Sequence, residues 1–335
     1  MNTKKIDFLN VWFILISLLI AVIIPFRLFL FSYAFFGPLH YLTEINWLNQ
    51  KGYFIKSKNK SWKIFFISIC SFIVIFNMVS FSFSELENSF LQVLKDPNSL
   101  LIVILLFSTA LILFKKVVHL IISLVFIIIL TMLVKKYSNS MLIYLGLFIP
   151  TLIHVYIFTL FFMIYGAIKT KSQLGFFCVI LMVFVPVLIA MIDLSSDYYK
   201  LSEHIDAILR ITSVPEIINL STHLFSQENL EFRYSDLTII GVKTQIFIAF
   251  AYTYHYLNWF SKTSIIGWKR ALTKQKTFFI IMIWVFSVLL YLKDYKTGLS
   301  VLFILSYIHV LLEFPLNVVT IREILLLTKH KHNMD

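Results

Sequence analysis

Charged side chains are scarce in this sequence. Asp, Glu, Lys and Arg together make up 14% of 335 residues, where a soluble domain carries about 25%. So few charges cannot coat a water-soluble globule. Cysteine is nearly absent as well: Cys70 and Cys178 are the only two, and both lie in apolar runs. That excludes a disulfide-stapled secreted module. With 8 glycines there is no Gly-rich phosphate loop, and Gly-x-Ser-x-Gly, Cys-x-x-Cys and His-Glu-x-x-His do not occur. Collagen-like, coiled-coil and disordered readings fail on composition. What is abundant is apolar: 59% of residues are hydrophobic, 35 of them Phe, and mean hydropathy is +0.87. The composition is that of an all-α, polytopic membrane helix bundle.

A membrane-spanning helix needs about 20 apolar residues. Nine stretches qualify: 9–36, 62–82, 99–115, 117–134, 139–168, 173–192, 237–260, 276–292 and 297–321. The first contains Pro25 and Arg27 and is expected to kink or tilt. It is too long for a signal peptide and reads as a retained anchor. Lys115 and Lys116 alone separate the third from the fourth, so these form a tight hairpin. The whole chain, 1–335, reads as a single transmembrane domain.

The net charge of +12 sits mostly in short segments between apolar stretches. Such cations set topology and meet lipid headgroups; no nucleic-acid-binding pattern is present. Placing the 47–63 loop inside puts 17 basic residues inside and 10 outside. The expected orientation is an outside N-terminus and a cytoplasmic C-terminus in a bacterial inner membrane, with Lys4 and Lys5 opposing it. The segment 193–236 is then an external acidic loop or cap, expected to hold short helices at Ser202–Ile211 and Val214–Phe225.

Ionisable groups at membrane depth are costly and usually face a cavity, a partner or a metal. Five histidines lie in or beside apolar helices: His40, His119, His154, His255 and His309. Two belong to His-x-x-x-Glu patterns, His40 with Glu44 and His309 with Glu313. Residues four apart share a helix face, so each pattern projects an imidazole and a carboxylate the same way. In the nine-span arrangement these groups fall at mid-depth or in the inner half. His40, Glu44, His154, His255, His309 and Glu313 are therefore the expected metal ligands. Asn258, His119, Tyr252 and Tyr256 are expected to support them. Imidazole and carboxylate suit one or two iron ions, and zinc fits the same donors. Each group also has a plainer reading, as a packed side chain hydrogen-bonded to a neighbouring helix.

The stretch Gly37-Pro38-Leu39-His40-Tyr41-Leu42-Thr43-Glu44 resembles the early Gly-Leu-Pro-His-Gly-x-x-Asp element of the bacterial β-carotene dioxygenases of the Brp/Blh type. The aromatic segment around His255 is similar to their late histidine segment, with Trp259 where that family places a further histidine. The resemblance implies histidine-ligated iron in a multi-pass membrane protein that oxygenates a lipophilic substrate in the lipid phase. Two other readings stand beside this one: a proton- or cation-coupled transporter using the same His and Glu residues, and a non-catalytic accessory subunit of another membrane protein. The sequence leaves the oligomeric state open.

Overall fold

The computed structural model describes residues 3–51, 68, 97–195, 199, 201–212, 214–226, 238–262 and 266–332. Among them the chain is all-helical, with no strand. In order, the elements are α1 (Thr3–Ile23), α2 (Pro25–Phe31), a π-helical turn (Ser32–Phe36), α3 (Gly37–Lys51), α4 (Pro97–Leu113), α5 (Val117–Tyr137) and α6 (Asn139–Phe148). A π-helical stretch (Ile149–Phe158) follows, then α7 (Thr159–Thr170), α8 (Gln173–Met191), α9 (Glu203–Leu209), α10 (Val214–Ser226) and α11 (Ile239–Ser261). A 3-10 turn (Trp268–Ala271), α12 (Lys274–Lys293) and α13 (Tyr295–His332) complete it.

Breaks between helices carry residues that cap the next one. The Ser172 hydroxyl accepts from the Gly175 N–H at the start of α8. Thr238 and Thr273 do the same for α11 and α12. Asp294 accepts from both the N–H and the hydroxyl of Thr297, which holds its carboxyl below the usual carboxylate range. Each such cap contributes about 1 kcal/mol. Lys171 ends α7 in the left-handed conformation, at φ 51°.

Six helices among the described residues are long and apolar enough to cross a membrane: Thr3–Ile23, Val117–Tyr137, Ile143–Thr170, Gln173–Met191, Lys274–Lys293 and Tyr295–Thr328. The expected span at 62–82 lies outside the described residues, apart from residue 68. The one at 99–115 forms a shorter apolar helix, and the one at 237–260 forms α11, which is less apolar than a lipid-facing span. The expected short helices at 202–211 and 214–225 are present as α9 and α10.

The chain divides into two compact units. The first comprises Met1–His40 and Val155–Leu302, the second Tyr41–His154 and Phe303–Asp335. The first unit is built around α11, fifteen of whose residues are buried, including Gln245, Thr253, His255 and Asn258. A helix enclosed by protein can carry polar side chains because neighbouring helices, not lipid, meet them. Its bonds to those neighbours run along its length: Thr253 to Ser32, Ser261 to Asn10, and Tyr254 to both Asn10 and Met163. Interhelical bonds of this kind contribute about 0.6 kcal/mol each in a membrane setting. α8 and α12 instead show rows of exposed Ile, Val, Leu and Phe, the face a bilayer covers.

The 9–36 segment differs from expectation. It is not one kinked span but two helices running in opposite senses. Asn10 of α1 bonds Ser261 at the end of α11. Helix α1 runs along α8, from Asp7 at Ser172 to Val22 at Tyr199, and Ala190 at the end of α8 accepts from Lys243 at the start of α11, so α1 runs against α11. Phe29 packs on Tyr252 and Phe36 on Phe260, so α2 and its π turn run along α11. The reversal falls at Ile24, whose φ of −136° and ψ of 57° leave the helix, just before Pro25. Proline there cannot continue the preceding helix but is well suited to begin the next.

In the second unit, α4, α5 and α6 pack on one another. The α4–α5 connection is the short Lys115-Lys116 turn, as expected. Gly146 of α6 lies against the Asn98 side chain, with no room for a Cβ. The second residue of the π stretch is Pro150, which cannot donate the backbone bond an α-helix needs there. The ladder continues with the wider π spacing, and the Thr151 hydroxyl bonds the Leu147 carbonyl.

Candidate metal centre

The second unit brings four of the expected ligands together. Helix α13 carries His309 and Glu313 one turn apart; α3 supplies Glu44 and the π stretch supplies His154. All four are nearly inaccessible, at 1% exposure for His309 and Glu313 and 2% for Glu44 and His154. His309 Nε2 lies 3.1 Å from Glu44 Oε2 and 3.8 Å from Glu313 Oε2. His154 Nδ1 lies 3.2 Å from the same Glu313 oxygen. One ligand atom from each of Glu44, His309 and Glu313 fits within 4.8 Å of the others. Tyr41 packs its ring against the His309 imidazole at 4.7 Å, and the two imidazoles meet edge to face at 4.8 Å.

No Lys or Arg side chain of the second unit is buried among the described residues. Two carboxylates this close, away from water, need positive charge from protons or from a metal ion. Donor atoms 3.1 and 3.2 Å apart, each about 2.1 Å from one ion, would subtend roughly 95–100° there. Of these residues, Glu44, His309 and Glu313 form a buried group that could hold a metal ion.

The first unit holds the other two expected ligands. His40 Nε2 and His255 Nε2 face each other at 3.0 Å, with ring centroids 4.6 Å apart. The Thr159 hydroxyl is 2.7 Å from His255 Nδ1 and fixes the ring from its far side. Tyr256 and Trp259 flank His40 at 5.2 and 5.5 Å. Nitrogens 3.0 Å apart would subtend about 90° at an ion 2.1 Å from each. Both π segments adjoin these groups: Ser32–Phe36 ends four residues before His40, and Ile149–Phe158 contains His154. Such wide turns recur at functional sites because they re-aim a side chain within a continuous helix.

The supporting residues are only partly as expected. Tyr256 lies beside both histidines of its unit, at 5.5 Å from His255. Tyr252 stands one step away, packed on Phe29, Tyr33 and Tyr256. Asn258 is buried on α11, but the hydroxyl that meets His255 belongs to Thr159. His119 does not join either group. It is exposed on α5, with its ring 5.8 Å from Phe114, because it sits on the outer face of the α4–α5 hairpin. Thr159 and Tyr41 were missed; a lone hydroxyl in the apolar run Phe158–Phe162 was the available signal for the first.

No protein-family model, curated protein or solved structure matches the chain.

Proposed function

We propose that the protein is an integral membrane metalloenzyme in which Glu44, His154, His309 and Glu313 bind a transition-metal ion. His40 and His255 form a hydrogen-bonded imidazole pair in their own unit. The observation that carries this reading is the burial of two carboxylates and two imidazoles within hydrogen-bond reach, with no Lys or Arg buried beside them among the described residues of that unit. A mixed imidazole–carboxylate set suits iron, and buried helix faces are where such centres are built. The resemblance of the Gly37–Glu44 stretch and the His255 segment to carotene-cleaving dioxygenases supports iron and a lipophilic substrate.

An iron ion held there would supply dioxygen binding and activation. The chain's own residues do the rest. Glu44 and Glu313 provide the negative charge that retains a divalent cation, and His154 and His309 fix its position. Tyr41 holds the His309 ring in place through face contact. The surrounding Ile, Leu and Phe side chains exclude water and offer an apolar wall to a substrate arriving from the bilayer.

The test is metal content. Protein purified in detergent is analysed for bound metals, as wild type and as His154→Ala and His309→Ala. Stoichiometric iron in the wild type and its loss in both variants is the expected result. A wild type that stays metal-free after incubation with iron, zinc or manganese, and that carries proton-coupled flux in liposomes, would overturn the reading in favour of transport.

A further inference from the structure

The contacts of α1 fix which end of the first unit its N-terminus occupies. The Asp7 carboxylate accepts from the Ser172 hydroxyl, and the Cys178 thiol donates to the Asp7 carbonyl at 3.3 Å. Asn10 reaches Ser261 at the end of α11. The N-terminal end of α1 therefore lies with the α7–α8 turn and the end of α11. Helix α12 begins at this same end. Its Trp284 bonds the Phe35 carbonyl, while Tyr295, just past its last turn, reaches the Leu30 carbonyl, so α12 runs against α2 and α11.

The charge at this end is one-sided. Lys4 and Lys5 open α1, Lys169 and Lys171 flank the α7–α8 turn, and five more cations fall between Lys262 and Lys276. That is nine basic residues against Asp7 alone in residues 3–10, 165–175 and 258–280. Asp7 is already engaged by Ser172. The opposite end of the unit is balanced, with Asp193, Glu203, Asp206, Glu216 and Asp294 beside Arg27, Arg210, Lys243, Lys293 and Lys296. Lys4, Lys5, Lys169, Lys171, Lys269, Arg270 and Lys274 are exposed.

We propose that this end of the first unit is a cytosolic platform for anionic lipid headgroups, and that the N-terminus lies on the cytosolic side as part of it. This reverses the orientation expected from the sequence for the first span. It also resolves the conflict there, since Lys4 and Lys5 join the cations that the positive-inside bias already places in the cytosol. Headgroup phosphates at the membrane surface are the polyanion such a ring of Lys and Arg meets first. The proposal does not depend on metal binding.

Two measurements test it. The first places a reporter cysteine by Thr3→Cys in a Cys70→Ser/Cys178→Ser background and labels it with a membrane-impermeant maleimide. Labelling in inverted vesicles and protection in intact spheroplasts is expected; labelling from spheroplasts overturns the proposal. Because Cys178 contacts Asp7, an N-terminal protease-cleavable tag on the otherwise native chain gives the same readout without altering that contact. The second compares lipid retained by wild type and by Lys4→Gln/Lys5→Gln/Lys169→Gln/Lys171→Gln in nanodiscs of neutral lipid with or without anionic phospholipid. Each neutralised cation is expected to lower preference for the anionic lipid about fivefold. Inorganic phosphate and pyrophosphate are expected not to compete. Unchanged lipid preference in the variant, or displacement by free phosphate, overturns the headgroup assignment.

Discussion

The two units hold the same kind of side chain in opposite electrostatic settings. In the first, His40 and His255 face each other, with a neutral hydroxyl behind one ring and aromatic rings around the other. Two neutral imidazoles satisfy each other by sharing one proton, so this pair is comfortable without a cation. In the second, His154 and His309 are met by Glu44 and Glu313. Buried carboxylates are costly unless neutralised, so this group calls for protons or a cation. Identical histidines thus predict little about chemistry until the acids around them are known.

The largest effect expected from this difference is on metal affinity. Glu313→Gln keeps the shape of the side chain but removes its charge, and His309→Ala removes a donor. Each is expected to weaken metal binding at least about 100-fold, read by competition with a calibrated chelator. Affinity within a few-fold of wild type would show that the carboxylate-rich group is not the binding centre.

Next comes the thermal response to metal. At 100 times its dissociation constant a bound ion stabilises the folded state by about 2.7 kcal/mol. Calorimetry of wild type with and without metal is expected to show that gain, and Glu313→Gln to lose it. An equal gain in the variant would break the contrast between the units.

In the metal-free protein the two units are expected to respond with opposite signs. Glu44→Gln removes one of two close carboxylates and should leave stability unchanged or raise it by up to about 2 kcal/mol. His255→Ala leaves the Thr159 hydroxyl and His40 without their partner and should cost about 1–3 kcal/mol. A loss in both would mean that the carboxylates are as well satisfied as the imidazoles. The smallest effect expected is that of Thr159→Val, a loss of about 1 kcal/mol with metal content unchanged. Loss of metal in that variant would give the hydroxyl a ligand-orienting role.

Much of this was legible in the sequence because it is local. Four-residue spacing announced the His309–Glu313 pair, and apolar run length announced most of the described spans. The short helices behind Ser202 and Val214 were legible from their Ser, Pro and acidic starts. What was not legible is what depends on packing. The reversal at Ile24-Pro25 reads as a kink, because both sides of it are equally apolar; only the contacts of Asn10, Val22 and Phe36 separate the two helices. Helix α11 reads as one more span by its length; only its polar residues, Lys243, Gln245, His255 and Asn258, hint at its enclosure. His119 has the residue type and depth of a ligand, but its side of the helix is set by how α4 and α5 pair. Thr159 carries a single hydroxyl whose partner lies 96 positions away.

The central claim is that the second unit's His/Glu group holds a metal ion. It is tested most directly by metal analysis of the wild type beside the Glu44→Gln/Glu313→Gln double variant, both exposed to iron and then dialysed against a weak chelator. The account predicts stoichiometric metal retained by the wild type and none by the double variant, with the variant still folded by circular dichroism. Equal metal in both proteins, or none in either, would contradict it.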